Sequence, residues 1–419
     1  VSQTTTTPAA GAAAAKAQMI DVSRLPAERA VDALIDHAVD MGASDLFLVS
    51  NEEHLAVLVR HLGIIRPISI DSLDLGKRIL SHIRANAGMD LTERRRPVDG
   101  RWIWRGPEGE MVDLRINVIP TMYGEDAAIR LLSRGKAIFN LDNIGMSREQ
   151  FIAYESMITT PSGLILITGP TGSGKTNTLY GSLIRLNDGK RKINTIEDPV
   201  EYAVDGLRQS QVNPLINLGF AELLRAVLRQ SPDVIMIGEI RDPETARTAV
   251  HAANSGILVL ATLHAPSAAA AVQSMRAYDV PPHFLSTSLR GVVSQRLVRT
   301  LDPATRIAFD LADAPHTFDE VKAYLKGDEG TKLYAPGPAE SNQMTGYAGR
   351  TGVFEVLKVS REIRNLIADG RPAREIRDRA ISEGMLEFRK AALIKVAQGI
   401  TTTEEVFRVV PSEQILIDE

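Results

Sequence analysis

The 419-residue chain contains no cysteine, which excludes disulfides and any cysteine-ligated zinc site and fits a reducing compartment. No apolar run approaches the length needed to cross a bilayer, and no secretory signal is present. An excess of one charge is missing too: Lys and Arg total 48 against 52 Asp and Glu, a formal charge of −4. That balance argues against a dedicated nucleic-acid surface, and the densest basic run, Arg94-Arg95-Arg96, reads as a solvated loop. There is no internal repeat. These absences predict a protein without a membrane span, reaching a membrane only through a partner.

What is present is sharper. Gly169-Pro170-Thr171-Gly172-Ser173-Gly174-Lys175-Thr176 fits G-x-x-x-x-G-K-[ST] at every fixed position. It lies between a short apolar run, Leu164–Thr168, and a segment from Asn177 to Leu186 that reads as a helix. Strand, glycine loop and helix together predict a nucleoside triphosphate site. Successive backbone N–H groups would point at phosphate oxygens, helped by the helix N-terminus. Lys175 would reach the β- and γ-phosphates, and Thr176 would hold Mg²⁺.

The length implies two or three domains. Residues 1–20, Thr/Ala-rich at their start, read as a disordered tail or linker. Ser23 and Pro26 precede apolar residues at helical spacing from Val31 to Ala38, marking a capped helix that stops at Gly42. Alternating segments then give a small α/β domain over 21–136. Across 137–301 the strands Leu164–Thr168, Ile193–Ile196, Val234–Ile237 and Ile257–Leu263 alternate with helices, which implies a largely parallel sheet covered on both faces. Residues 302–345 read as an irregular insertion, and 346–419 as a strand followed by a helical bundle.

Three strands end in groups that suit the ligand-binding edge of a parallel sheet. Ile193–Ile196 runs into Glu197, Asp198 and Glu201. Either Glu197 or Glu201 would polarise the attacking water, and Asp198 could bind Mg²⁺ through water. Val234–Ile237 leads to Glu239, a Walker B pattern whose carboxylate would hold Mg²⁺. Ile257–Leu263 delivers His264, placed to sense the γ-phosphate or meet a neighbouring subunit. Arg115 and Arg130 bracket a strand–turn–strand around Gly124-Glu125-Asp126 and by residue type alone read as ordinary strand arginines.

In this order, the motifs resemble the secretion ATPase superfamily that powers type II secretion and type IV pilus assembly and retraction. The resemblance runs from about Asp21 through Ala43-Ser44-Asp45, Pro97–Arg101, Arg115 to Leu132, the glycine loop and Thr195–Glu201. It continues through Pro232–Asp242, Thr262-Leu263-His264, Gln295–Arg299 and Gly346–Gly352. It implies a RecA-like P-loop ATPase domain with a smaller PAS-like N-terminal domain and a C-terminal helical subdomain, assembled as a homo-hexamer. It further implies ATP and Mg²⁺ as ligands, a platform protein of the inner membrane as partner, and a cytoplasmic, peripheral location. Arg115 and Arg130 become candidate arginine fingers, and His264 a candidate site residue.

Three departures stand out. Gly256-Ile257 replaces the family's Gly-His pair, and Phe47 stands where many members have His. Asp302 and Thr305 occupy the first pair of the four-cysteine zinc site common in assembly-type members, so no zinc is expected. The upstream domain that docks many assembly members to the platform has no counterpart in residues 1–20. Gly349–Leu357 and Gly399–Val406 are similar to the assembly branch, while Glu362–Ile367 is similar to a helix of the retraction branch. The longer matches favour assembly or secretion; retraction and nucleic-acid translocation are the alternatives, and a non-hydrolysing switch is the third.

Overall fold

In the computed structural model, residues 19–107, 109–133 and 140–410 are described. The expected tail therefore lies outside them except for Met19 and Ile20, and the expected boundary at 136/137 lies outside them too. The chain divides into two compact units, Val1–Ala137 and Ile138–Glu419.

In the first unit, helix α1 (Ala27–Asp40) buries Ala30, Val31, Leu34, Ile35 and Ala38, one stripe at helical spacing. The expected cap does not form at Ser23: Pro26 is the N-cap residue, with φ fixed for helix entry, and the Ser23 hydroxyl donates instead to Asp21 at 2.6 Å. Strands β1 (Asp45–Ser50), β2 (His54–His61) and β3 (Ile64–Ser72) lead into α2 (Leu73–Asn86), capped by Ser72. Then follow β4 (Val98–Arg105), β5 (Met111–Thr121) and β6 (Gly124–Ser133). The strands form one antiparallel sheet in the order β3-β2-β1-β6-β5-β4. Alternation sends one face into a core shared with α1 and α2, leaving the polar face outside.

The second unit opens with α3 (Arg148–Ile158), held by a Ser147–Gln150 capping box. Strand β7 (Gly163–Thr168), helix α4 (Lys175–Leu186), β8 (Ile193–Glu197), β9 (Leu207–Gln211) and α5 (Phe220–Leu228) follow. Next come β10 (Val234–Ile237), α6 (Pro243–Asn254), β11 (Leu258–Leu263), α7 (Ala268–Ala277), α8 (Pro282–Ser288) and β12 (Leu289–Leu301). A hairpin of β13 (Ile307–Asp310) and β14 (Lys332–Ala335) precedes β15 (Tyr347–Lys358).

The main sheet has the order β15-β12-β7-β11-β10-β8-β9, parallel except where β15 runs antiparallel to β12. Every residue of β7, β8, β10 and β11 is buried, because helices cover both faces and exclude the polar alternation of a one-sided sheet. The four C-terminal helices are α9 (Arg361–Ala368), α10 (Ala373–Ser382), α11 (Phe388–Ala397) and α12 (Thr403–Val409). They do not share the single core of a bundle. Ile363, Ile367, Ile376 and Ala380 join the sheet core, whereas Phe388, Ala392, Val396 and Val406 pack with Val298, Phe318 and Val353. None of the described helices is long and apolar enough to cross a membrane.

Candidate functional site

The glycine loop connects β7 to α4 at the C-terminal edge of the parallel strands. Gly169, Gly172 and Gly174 all have positive φ, which favours glycine. A side chain at Gly169, φ +146°, would run into the Gln295 carbonyl and the Ser173 side chain, and Gly174 caps α4 in the left-handed region at φ +88°. The helix begins at Lys175, two residues earlier than expected from sequence, so the loop flows into its first turn without a linker. The N–H groups and positive end of α4 thus face the space over the loop.

Lys175 folds back, its ammonium donating to the carbonyls of Gly169 at 2.8 Å and Pro170 at 3.1 Å. Burial holds this ammonium below the ordinary lysine value; Glu239 opposes that shift and Arg296 adds to it. The Ser173 Oγ is buried with no hydrogen-bond partner among the described residues. An ammonium, a helix N-terminus, an orphaned hydroxyl and the exposed Thr176 form a donor set that fits a polyphosphate.

Register places the acidic strand ends side by side, since Ile237 of β10 pairs with Ile196 of β8 and Ala261 of β11. Glu239 lies two residues past Ile237. One carboxylate oxygen is 2.8 Å from His264 Nε2, and the other accepts from Arg241 Nε at 2.6 Å. Arg241 also reaches Asp198 Oδ2 at 3.4 Å, so Asp198, Arg241, Glu239 and His264 form one polar chain. The bond to Glu239 raises the Arg241 pKa against a smaller opposing effect of burial. Thr262 Oγ1 donates to the Gly238 carbonyl at 2.5 Å and fixes the turn that aims Glu239. Glu239 and Asp198 supply the hard oxygen ligands that suit Mg²⁺.

Glu197 and Glu201 occupy different surroundings. Glu197 is buried and accepts from Tyr180 Oη at 2.5 Å, Thr195 Oγ1 at 2.6 Å and Gln209 Nε2 at 3.1 Å. Burial, then the bond to Glu197, pushes the Tyr180 phenol above its ordinary value. Glu201 is half-buried, beyond the strand end. Arg241, Tyr180 and Gln209 lie outside the roles expected from sequence. The available signal for Arg241 was its position two residues after a strand-terminal acid; for Tyr180 and Gln209 there was none.

Arg115 and Arg130 belong to the first unit, where they stand directly opposite each other across β5 and β6. Asp45 pairs with Arg130 across β1 and β6, at 3.5 Å, and with Arg60 at 3.4 Å. Arg101 is opposite Arg115 and donates to Asp113 at 2.8 Å. The two candidate fingers therefore share one face of the sheet within a row of arginines. On the other face of β6 the buried Arg84 pairs with Glu125 and secures the β5–β6 turn.

The family described as Type II/IV secretion system protein matches residues 21–408. Type II secretion system protein E of Dickeya dadantii is 41% identical over 389 residues, covering 93% of this chain and 76% of that protein. Type IV pilus assembly ATPase PilB of Thermus thermophilus is 39% identical over 388 residues, covering 92% of this chain and 43% of that protein. Among solved structures, the pilus retraction motor PilT with bound ADP aligns with a TM-score of 0.60 at 26% identity, covering 92% of this chain and 98% of that one. The Legionella pneumophila ATPase DotB aligns with a TM-score of 0.69 at 21% identity, covering 92% and 96%, a likeness of fold alone.

Proposed function

The chain belongs to the Type II/IV secretion system protein family, and from that premise we propose that it is a hexameric ATPase motor for type II protein secretion or type IV pilus assembly. The observation that carries the reading is the glycine loop with its half-buried Lys175, set on the same sheet edge as the Asp198–Arg241–Glu239–His264 chain. Relatives named for type II secretion and pilus assembly, at 39–41% identity, favour export over retraction, whose solved motor is 26% identical.

In this reading, the backbone N–H groups of the loop other than Pro170 cradle the phosphates while Lys175 exchanges its two carbonyl partners for β- and γ-phosphate oxygens. Thr176 and Glu239 would hold Mg²⁺, with Asp198 acting through water, and the ion would neutralise charge on the phosphates. Glu201 takes the proton from the water that attacks the γ-phosphorus as the bond to the β-phosphate breaks. Glu197, whose oxygens are already engaged by three donors, holds the strand end in place. His264 orients Glu239. Arg115 and Arg130 supply positive charge to the transferring phosphoryl group when the two domains close. Closure and reopening are the work stroke, delivered to an inner-membrane platform protein that also recruits the motor to the cytoplasmic face.

Lys175→Ala is expected to abolish steady-state ATP hydrolysis while leaving thermal unfolding of the nucleotide-free protein close to wild type. Hydrolysis retained by that variant would overturn the mechanism.

A further inference from the structure

Strand β12 carries Ser294, Gln295 and Arg296, all buried, in the middle of an apolar run. A carboxamide taken out of water needs partners for both its donor and its acceptor. Gln295, 1% exposed, finds both on the phosphate loop and its helix. Its Nε2 donates to the Ser173 carbonyl at 2.8 Å, and its Oε1 accepts from Thr178 Oγ1 at 2.9 Å. Its backbone carbonyl fills the space that a side chain at Gly169 would need, and its Nε2 lies 3.3 Å from where a Cβ of Gly174 would stand. One residue thus touches the loop at its start, at its end, and in the first turn of α4.

The next residue faces the other way. Arg296 donates to the Pro266 carbonyl at 2.7 Å and to the Gln295 carbonyl at 3.0 Å, and its guanidinium lies 4.9 Å from the centre of the Phe388 ring. Pro266 follows His264 by two residues, and Phe388 opens α11. The backbone of Gln295 is therefore itself held from behind, which gives its side chain a fixed base.

We propose that Gln295 is a positioning residue for the triphosphate: by spanning the Ser173 carbonyl and the Thr178 hydroxyl, its carboxamide sets the spacing between the loop and the N-terminus of α4, and so the affinity for the phosphates. The inference rests on the nucleotide-binding reading above. The role needs a donor and an acceptor at the same reach. Methionine keeps the volume and loses both bonds; glutamate loses the donor and sets a carboxylate against the Ser173 carbonyl. Small displacements of a preorganised phosphate cradle are costly, since the N–H groups must converge on one set of oxygens.

The test uses the full chain. Binding of a fluorescent ADP with Mg²⁺, KM and kcat for ATP, and thermal unfolding without nucleotide are measured for wild type, Gln295→Met, Gln295→Glu, Thr178→Val and the Gln295→Met/Thr178→Val double variant. Gln295→Met should unfold near the wild-type temperature, bind ADP about tenfold more weakly, and raise KM more than it lowers kcat; Gln295→Glu should bind more weakly still. The double variant should bind no more weakly than Gln295→Met, because both changes remove one strut. Wild-type affinity in a folded Gln295→Met, or fully additive losses in the double variant, would overturn the proposal. If Gln295→Met does not fold, Thr178→Ser against Thr178→Val decides: the serine variant should keep wild-type affinity, and equal affinity of the two contradicts the strut. A wild-type chain that binds no nucleotide overturns the reading beneath it, and the positioning role with it.

Discussion

Glu197 and Glu201 are the same residue type four positions apart, and what separates them is the company each keeps. Tyr180 comes from α4, Thr195 from β8 and Gln209 from β9, and all three donate to Glu197. A carboxylate so engaged would have to give up three bonds before taking a proton, which leaves Glu201, half-buried beyond the strand end, as the proposed base. Glu201→Gln is expected to lower the single-turnover hydrolysis rate by about 10²–10⁴-fold with nucleotide affinity kept. Glu197→Gln should act first on stability, lowering it by about 1–3 kcal/mol in thermal unfolding. The reverse pattern reassigns the base. Sequence could not divide the pair, because the donors that do so come from three separate elements. Lys175 was legible for the opposite reason: its chemistry is written within eight consecutive residues. Arg241 stood in plain view but without a role, since its partner Asp198 lies on another strand.

Among the elements, the 302–345 segment is the most instructive. Asn342, buried, donates to Asp302 Oδ2 at 3.0 Å, Thr305 Oγ1 at 2.8 Å and the Gly337 carbonyl at 3.0 Å. Its Oδ1 accepts from the backbone N–H groups of Ala339, Thr345 and Gly346 at 3.0, 3.1 and 2.9 Å. One side chain thus closes both ends of the segment, and Asp302 is held below the ordinary carboxylate range, chiefly by the bond from Asn342. Asn342→Ala strands those N–H groups and should cost about 2–4 kcal/mol, with faster amide exchange across residues 302–346; an unchanged melting temperature and exchange pattern would refute the role. From sequence this segment reads only as irregular, because its hairpin strands are four residues each and exposed in β13, and the amide that ties its two ends together leaves no periodic signal. The parallel strands β7, β10 and β11 were legible as nearly continuous apolar runs, which full burial favours, while β8 keeps Asn194 and Thr195 between its two isoleucines. Strand β3 was not: Pro67 interrupts it where its register with β2 shifts between Val57 and Leu58. In β12 the buried polar triplet masked a strand of thirteen residues.

For the whole molecule, family membership follows from a match over residues 21–408 and from relatives about 40% identical over most of the chain. The helical tail illustrates the limit of reading periodicity alone. Its apolar stripes announce helices, but which core each stripe joins depends on the sheet: α9 and α10 enter the sheet core, while α11 and α12 pack beside Val298 and Val353. Arg130, paired with Asp45 on the outer face of the first unit, is the residue through which the motor reading is most exposed to test, because its proposed task lies outside its own domain.

The most direct measurement is ATPase rate against protein concentration, with mass followed by light scattering, for wild type and Arg130→Ala. The account predicts that specific activity rises as a six-subunit species forms and falls by about 10³-fold or more in the variant, the scale on which a lost arginine finger acts. A flat, low rate from a monomer, indifferent to Arg130, would contradict it.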